Sequence, residues 1–442
     1  MRGMRTPRLT LLAGVLAAVA PDAARAQVAG ASVSGAIREQ GRARVIVALR
    51  PPPATTGAPA YQKQIRATGA SVTLGLTDAE FRVTHRWDNI AALAGDVTAE
   101  GLLALLRDPD VLSVDLDVPG RIALGESANM IRAGELNSRG LTGAGVTVAV
   151  LDTGVDASHP DLSDDLVDEA CFCQNADGSG CCPGGGTSAF GPGSARDEQG
   201  HGTHVTGIVT GRGGIAPRGV APDAKIVAVR VLDAAGVASG TPQVISGLDW
   251  VMQNHPEVRV INFSLGFETL FSGPCDGAAS FATAFAQAIG ALKSRGSMVF
   301  ASTLNTGSAS QIGLPACVSS AVAVGAVYDA NVGSISFGCS DPTTARDQIT
   351  CFSNSNDQVD VLAPGAAISS TGLGGGIATF IGTSQAAPHA AAAAALLFQA
   401  KPGLTPDQVL NALKATGAVI ADPRNGLSFP RIDLLAALDA TP

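Results

Sequence analysis

The stretch Val148-Ala149-Val150-Leu151-Asp152-Thr153-Gly154 determines how this chain of 442 residues is expected to fold. It completes an apolar run that begins at Val146, and a carboxylate follows the run. Such a run, without polar alternation, is typical of a strand buried on both faces of a parallel sheet. Further runs share this character: Ile226 to Leu232, Val258 to Phe263, Met298 to Ala301 and Ala321 to Val327.

Helical patterns lie between and after these runs. Thr241 and Pro242 are predicted to be a capping residue and a proline at the first helical position, and Thr405-Pro406-Asp407-Gln408 forms a capping box. Another helix is indicated by apolar residues on one helical face: Phe281, Phe285, Ile289 and Leu292. Strands that alternate with helices predict an α/β domain with a doubly wound, mostly parallel sheet.

The composition excludes two classes of protein. Hydrophobic residues make up 46% of the chain and charged residues 15%, a balance too apolar for a disordered chain. With 29 Lys and Arg against 38 Asp and Glu, the net charge is −9, so the chain has no excess positive charge to bind a nucleic-acid backbone. We expect a globular protein that does not bind nucleic acid.

The N-terminus has the pattern of a secretory signal. Arginines precede the apolar run Leu9 to Ala20, and Ala24-Arg25-Ala26 supplies small residues two apart. The alternative is a membrane anchor, but the run is shorter than the roughly 18 residues that span a bilayer. We expect residues 1–26 to be a signal peptide cleaved near Ala26, and the protein to be secreted, extracellular or periplasmic, without a membrane anchor.

A small α+β domain is predicted for residues 27–122, before the α/β domain at residues 123–442. Its elements follow the order β-α-β-β-α-β, from a strand at Val45 to Leu49 to a last strand at Val111 to Leu116. This order is that of a split β-α-β fold.

The eight cysteines are interpreted as disulfides, because an even number in an exported protein favours disulfides over zinc. Proximity of loops suggests the pairs Cys275 with Cys317 and Cys339 with Cys351. Metal binding stays open for the remaining cluster, although its spacing lacks the paired C-x-x-C of a zinc site: Cys171, Cys173, Cys181 and Cys182.

Three segments carry candidate chemistry: Asp152-Thr153-Gly154, Gly200-His201-Gly202-Thr203-His204 and Gly382-Thr383-Ser384. Taken singly, the histidines are also explained as packing groups and the serine as a helix cap. Together they supply a hydroxyl nucleophile, an imidazole base and a carboxylate that orients the base. Their order along the chain, Asp, His, Ser, differs from those of α/β-hydrolases and chymotrypsin-like enzymes.

From Leu141 to the C-terminus the chain resembles the subtilisin-like serine proteases, the subtilases. The resemblance implies an Asp-His-Ser endopeptidase in which Asp152 orients, His201 is general base and then acid, and Ser384 forms the acyl-enzyme. It also implies that the second histidines of the two motifs are structural: His204 and His389.

The resemblance further implies a substrate cleft in which a peptide adds as a β-strand. One wall is the segment Ser264, Leu265 and Gly266, which flanks the P1 side chain. The facing edge strand is Gly236, Val237 and Ala238. Asn305 is the implied oxyanion donor.

Two positions depart from the family pattern. Leu304 stands where the family has glycine, so we expect either a narrowed pocket or, if that backbone needs a positive φ, a changed turn. Gln385 stands where a methionine follows the nucleophile, so we expect resistance to peroxide.

Residues 40 to 118 are similar in element order and position to the propeptides of this family. The resemblance implies an intramolecular chaperone and inhibitor that covers the cleft and is removed by self-cleavage between Val118 and Ser127. The implied partners are therefore protein or peptide substrates and the chain's own propeptide, with the mature enzyme a monomer.

No cofactor is expected for the chemistry, whereas structural calcium is common in the family. His159-Pro160-Asp161-Leu162 resembles a calcium-binding stretch, which makes Asp161 a candidate ligand, although an exposed Asp in a turn is ordinarily solvated. Two alternatives to the endopeptidase stay open. One is a catalytically silent subtilase-like domain that binds peptides, and the other is an esterase.

Overall fold

The computed structural model describes four stretches of the chain: residues 33–53, 58–88, 90–116 and 125–442. The chain divides into two compact units, Met1–Arg121 and Ile122–Pro442. The predicted signal peptide and most of the predicted self-cleavage segment lie outside the described residues. None of the helices in the described stretches combines the length and apolarity that crossing a bilayer requires.

The first unit contains an antiparallel sheet with strand order β2-β3-β1-β4. Its strands are β1 (Ala43–Leu49), β2 (Phe81–Arg86), β3 (Ala92–Val97) and β4 (Val111–Leu116). Its helices are α1 (33–40), α2 (Ala58–Val72) and α3 (Ala99–Arg107). The order from β1 to β4 is the β-α-β-β-α-β order that the sequence predicts.

The second unit is built on a ten-stranded sheet with the order β19-β20-β16-β13-β11-β9-β5-β8-β6-β7. Only the two outermost pairs are antiparallel, and all the pairs between them are parallel. The strands of this unit, including three short pairs outside the main sheet, are β5 (Thr147–Asp152), β6 (Leu166–Phe172), β7 (Ser188–Phe190), β8 (Lys225–Arg230), β9 (Val258–Phe263), β10 (Phe267–Phe271), β11 (Met298–Ser302), β12 (Ile312–Leu314), β13 (Val322–Val327), β14 (Ile335–Ser336), β15 (Ser340–Asp341), β16 (Val361–Pro364), β17 (Ile368–Gly372), β18 (Gly376–Phe380), β19 (Ala418–Ala421) and β20 (Ser428–Arg431).

Helices cover both faces of this sheet. They are α4 (Gly125–Met130), α5 (Ala133–Ser138), α6 (His201–Thr210), α7 (Thr241–Asn254), α8 (Ser280–Ser294), α9 (Thr383–Ala400), α10 (Pro406–Thr416) and α11 (Leu434–Ala440), with a 3-10 turn at Leu373–Gly375. On β5, Val148 and Val150 belong to one hydrophobic core while Ala149 and Leu151 belong to the other. A strand buried on both faces therefore lies at the centre of a doubly wound sheet, as the sequence predicts.

Helix starts follow the predicted signals with one correction. The capping box at Thr405 and Gln408 is confirmed, because each side chain accepts the other residue's backbone N–H. The prediction that Thr241 caps α7 is wrong. Gly240 occupies that position, and Thr241 is already the first helical residue, one before Pro242. Pro242 in the first turn sacrifices no helical hydrogen bond, so the helix starts there without a side-chain cap.

All eight cysteines form disulfides, which confirms the prediction for the pairs Cys275–Cys317 and Cys339–Cys351. The clustered cysteines pair as Cys171–Cys182 and Cys173–Cys181. A zinc site at this cluster is therefore excluded, since its four sulfur atoms are already bonded in pairs.

Candidate active site

Asp152 and His201 meet where a central strand ends and a helix begins. Asp152 is the last residue of β5 and is buried, and His201 is the first residue of α6. The Nδ1 atom of His201 lies 2.7 Å from Oδ1 of Asp152, which also accepts the N–H of Thr153 at 2.8 Å. Because a carboxylate accepts only, Nδ1 carries a proton, and in the neutral imidazole Nε2 then keeps its lone pair.

The charge balance around His201 favours the protonated ring. Burial alone would lower the pKa of His201, but the negative charge of Asp152 and its hydrogen bond outweigh burial. The pKa of His201 is consequently raised above its ordinary value. Phe380 on β18 stacks nearly parallel to the imidazole, with ring centroids 6.3 Å apart.

Two glycines allow α6 to approach β5 so closely. A Cβ on Gly202 would lie 2.2 Å from the carbonyl oxygen of Gly154, and a Cβ on Gly154 would lie 2.2 Å from that of Ala195. The N–H of Gly202 donates to the hydroxyl of Thr153 at 2.8 Å. A larger residue at Gly202 would push the helix start away from Asp152, and one at Gly154 would displace the segment at Ala195 that leads toward the helix.

Asp197, which the sequence analysis missed, holds the loop that leads into α6. Its Oδ1 accepts the N–H groups of Gln199 and Gly200, each at 2.9 Å. Its Oδ2 accepts the N–H of Thr203 at 2.9 Å and the Thr203 hydroxyl at 2.6 Å. Burial raises the pKa of Asp197, but these hydrogen bonds lower it below its usual range. An acidic residue just before a predicted helix start is the signal that indicates such a role.

Ser384 is the second residue of α9 and is bound to Ser264, which follows β9. The hydroxyl of Ser384 donates to the carbonyl of Ser264 at 2.9 Å, and the hydroxyl of Ser264 donates to the carbonyl of Ser384 at 2.6 Å. In the part of the chain that the structure describes, Ser384 Oγ makes no hydrogen bond to His201.

Asn305 is oriented by Thr383, the neighbour of the predicted nucleophile. Its Oδ1 accepts the N–H of Thr383 at 2.8 Å and the Thr383 hydroxyl at 2.9 Å. The carbonyl end of the amide is thus occupied, and Nδ2 is left as the donor. A Cβ on Gly382 would lie 3.1 Å from Nδ2, so the donor lies beside the turn into α9.

A cleft of about 440 Å³ brings the predicted binding residues together. Its lining includes His201 and Ser384, both predicted walls and Leu304; the wall residues are Gly236, Val237, Ala238, Ser264, Leu265 and Gly266. Asp152 lies behind His201, and Asn305 follows Leu304, but neither lines the cleft.

Comparison with known proteins identifies the family. The profile of the subtilase family matches residues 143–429. The chain belongs to the subtilase family. It is 33% identical over 354 residues to subtilisin amylosacchariticus from Bacillus subtilis subsp. amylosacchariticus, covering 77% of this chain and 79% of that protein. It is 36% identical over 296 residues to a subtilisin from Bacillus pumilus, covering 66% and 90%.

Among solved structures, a cold adapted subtilisin-like serine proteinase matches with a TM-score of 0.49 and 31% identity, covering 66% of this chain and 89% of that one. The family and its curated relatives establish that this subtilase is a serine endopeptidase. The fold, the order of the three motifs and the cleft agree with that activity.

The second histidines of the two motifs are buried and neutral. His204 Nε2 lies 3.0 Å from the carbonyl of Ile368, and His389 Nδ1 lies 2.8 Å from that of Gln385. Burial lowers the pKa of His204 to about 3 and that of His389 to about 4. Neither histidine lines the cleft, which supports the prediction that both are structural.

Asp161 has partners that do not fit a calcium ligand. Its carboxylate is buried and accepts three backbone N–H groups, from Gly214 at 2.7 Å, Ile215 at 2.9 Å and Ala216 at 2.7 Å. Within the described residues, no group of three or more His, Cys, Asp or Glu side chains is placed to hold a metal ion. The calcium prediction stays untested, and these donors argue against it.

Proposed function

We propose that this subtilase cleaves peptide bonds through an acyl-enzyme on Ser384, with His201 as the proton carrier and Asp152 as its orienting carboxylate. The observation that carries the proposal is the 2.7 Å contact between Asp152 and His201, with His201 and Ser384 lining the same cleft. The free Nε2 lone pair is the feature that a base needs.

In the proposed acylation step, Ser384 turns from the carbonyl of Ser264 toward His201. Its oxygen attacks the substrate carbonyl carbon while Nε2 of His201 takes the hydroxyl proton. The tetrahedral intermediate then collapses, and the imidazolium gives this proton to the departing amine. A water molecule, deprotonated by His201, hydrolyses the acyl-enzyme and restores the Ser384 hydroxyl.

Negative charge develops on the substrate oxygen during both steps. Asn305 Nδ2 is the proposed side-chain donor, since Thr383 holds the other end of its amide. Ser384 lies in the first turn of α9, where free N–H groups and the helix dipole favour negative charge. Both donors are in place before the reaction, so little reorganisation is needed when the charge forms.

Peptide hydrolysis by single variants tests this assignment. Ser384→Ala and His201→Ala are expected to abolish measurable turnover, whereas Asn305→Ala is expected to lower kcat by about 10²–10³-fold with a smaller change in KM. Thr383→Val, which removes one of the two bonds to Asn305 Oδ1, is the matched control and should have a smaller effect. Full activity in Ser384→Ala would overturn the proposal.

We further propose that the chain is exported and processes itself, with residues 27–122 acting as its propeptide and the mature enzyme acting as a monomer on protein substrates. The signal pattern and the family resemblance support this. The test is the mass and N-terminal sequence of the exported protein beside its Ser384→Ala variant. We expect the wild type alone to lose about the first 120 residues, with the cut between Val118 and Ser127. If the wild type and Ser384→Ala were shortened equally, another protease would be responsible.

A further inference from the structure

Leu304 has an unusual backbone conformation beside the cleft. Its φ is +79°, in the left-handed region that glycine adopts readily and a γ-branched residue does not. A distant segment of the chain holds this turn in place, because the Leu304 carbonyl accepts the N–H of Asn354 at 3.0 Å. Asn354 Oδ1 in turn accepts the N–H and the hydroxyl of Thr306, each at 2.9 Å. Backbone strain that the surroundings maintain is characteristic of functional sites.

The side chain of Leu304 fills space that two glycines leave open. A Cβ on Gly266 would lie 2.7 Å from Leu304 Cδ2, and a Cβ on Gly313 would lie 2.2 Å from Cδ1. The isobutyl group is therefore packed directly against both glycine backbones. Of these three residues, Leu304 and Gly266 line the cleft itself.

This position lies where the side chain on the acyl side of the scissile bond must go. The substrate carbonyl has to reach Ser384 Oγ and the amide of Asn305, and Leu304 directly precedes Asn305 in the chain. Gly266 is two residues after Ser264, whose carbonyl lies 2.9 Å from Ser384 Oγ. The Cα that carries this side chain is bonded to the reacting carbonyl carbon, so the side chain meets the wall formed by Leu304 and Gly266.

We propose that Leu304 is a specificity-determining residue that occupies the P1 side-chain site, so that this subtilase cleaves after small residues such as Ala, Ser and Gly. The inference rests on the proposed nucleophile and oxyanion donor. A pocket filled by a leucine leaves room for a methyl or hydroxymethyl group, whereas a phenyl or isobutyl group would overlap it. Leu304→Gly removes four carbon atoms and at the same time suits the positive φ.

The experiment uses the enzyme produced from the full chain, with loss of the proposed propeptide checked by mass, and peptide p-nitroanilides that differ only in the P1 residue, Ala against Phe. Reaction with a fluorophosphonate counts the active sites, so kcat/KM is referred to reactive enzyme. We expect the wild type to prefer Ala, and Leu304→Gly to raise the Phe-to-Ala ratio by about tenfold or more, the scale of hydrophobic pocket discrimination. Leu304→Ala should give an intermediate Phe-to-Ala ratio, and it replaces Leu304→Gly as the test variant if Leu304→Gly does not fold.

Ala367→Gly is the matched control, since Ala367 also has a positive φ, of +55°, but does not line the cleft. It should leave the ratio unchanged. A wild type that prefers Phe, or a ratio unaltered in both Leu304 variants, overturns the inference while the proposed function stands. Failure of the wild type to react with the fluorophosphonate overturns the proposed function, and this inference with it.

Discussion

Ser264 and Ser384 exchange two hydrogen bonds between side chain and backbone, across 120 residues of sequence. The reason that the Ser384 carbonyl accepts from Ser264 lies one turn into α9. Pro388 has no N–H to donate to the carbonyl of Ser384, four residues earlier, and the hydroxyl of Ser264 donates to that carbonyl instead, at 2.6 Å. The proline thus ties the proposed nucleophile to the proposed substrate-binding segment.

This relationship predicts a specific rescue. Ser264→Ala leaves the carbonyl of Ser384 without a donor and should lower the free energy of unfolding by about 1–3 kcal/mol. Ser264→Ala also removes the acceptor of Asn262 Nδ2. Adding Pro388→Ala restores a helical N–H for the same carbonyl, so the double variant should recover the part of the loss that this carbonyl causes. Denaturant unfolding in a Ser384→Ala background, which prevents self-digestion, measures both. Additive losses in the double variant would show that the two residues do not share this carbonyl.

The raised pKa of His201 predicts the acid limit of activity. Activity requires the neutral imidazole, so kcat/KM should fall as the pH drops through a pKa above 6.5. In Asp152→Asn the charge of Asp152 is gone and burial is opposed only by the charge of Asp197, so the acid limit should move to lower pH, with kcat reduced by about 10⁴-fold. The pH dependence of kcat/KM is the measurement. Glu257→Gln, which removes a carboxylate that pairs with His255, is the control and should leave the acid limit of activity unchanged. An unchanged acid limit in Asp152→Asn would contradict this prediction.

The buried histidines predict a loss of stability in acid. The folded-state pKa of His389, about 4, lies below the 6.5 of an exposed histidine, so its contribution is complete above pH 6.5. As the pH falls from 6.5 toward 4, this histidine becomes protonated in the unfolded chain but not in the folded chain. The free energy of unfolding therefore falls by about 1.4 kcal/mol per pH unit. His389→Asn keeps a donor for the carbonyl of Gln385 but cannot titrate. Melting temperatures between pH 7 and 5, in the Ser384→Ala background, should fall less steeply in this variant; parallel curves would refute the prediction.

Gln385 predicts resistance to peroxide. It follows the proposed nucleophile, is 1% exposed, and its amide atoms have no hydrogen-bond partner within the described residues. Gln385→Met should therefore be tolerated, and it adds a thioether that oxidises to a polar sulfoxide. Residual activity after timed exposure to peroxide should be lost faster in Gln385→Met than in the wild type. Equal inactivation rates would show that another group limits the enzyme in peroxide.

Most of the fold and of the candidate site could be predicted from local sequence patterns. Asp152, His201 and Ser384 were placed correctly at a strand end and two helix starts, because buried strands and adjacent glycines are visible in the sequence. The strand β6, next to the edge strand β7, was missed, since Asp168 and Glu169 interrupt its apolar pattern.

Contacts between distant segments were beyond the sequence analysis. The pairing of Ser264 with Ser384, and the packing of Leu304 against Gly266, depend on residues far apart in the chain. Leu304 shows the difference: its departure from the family pattern was visible, but its positive φ and the direction of its side chain required the three-dimensional structure.

The most direct test of the central claim is to treat the enzyme produced from the full-length chain with a fluorophosphonate and to map the modified residue by peptide mass spectrometry. The account predicts one adduct, on Ser384, that is lost in Ser384→Ala and formed far more slowly in His201→Ala. An adduct on a different serine, or peptidase activity that survives in Ser384→Ala, would contradict it.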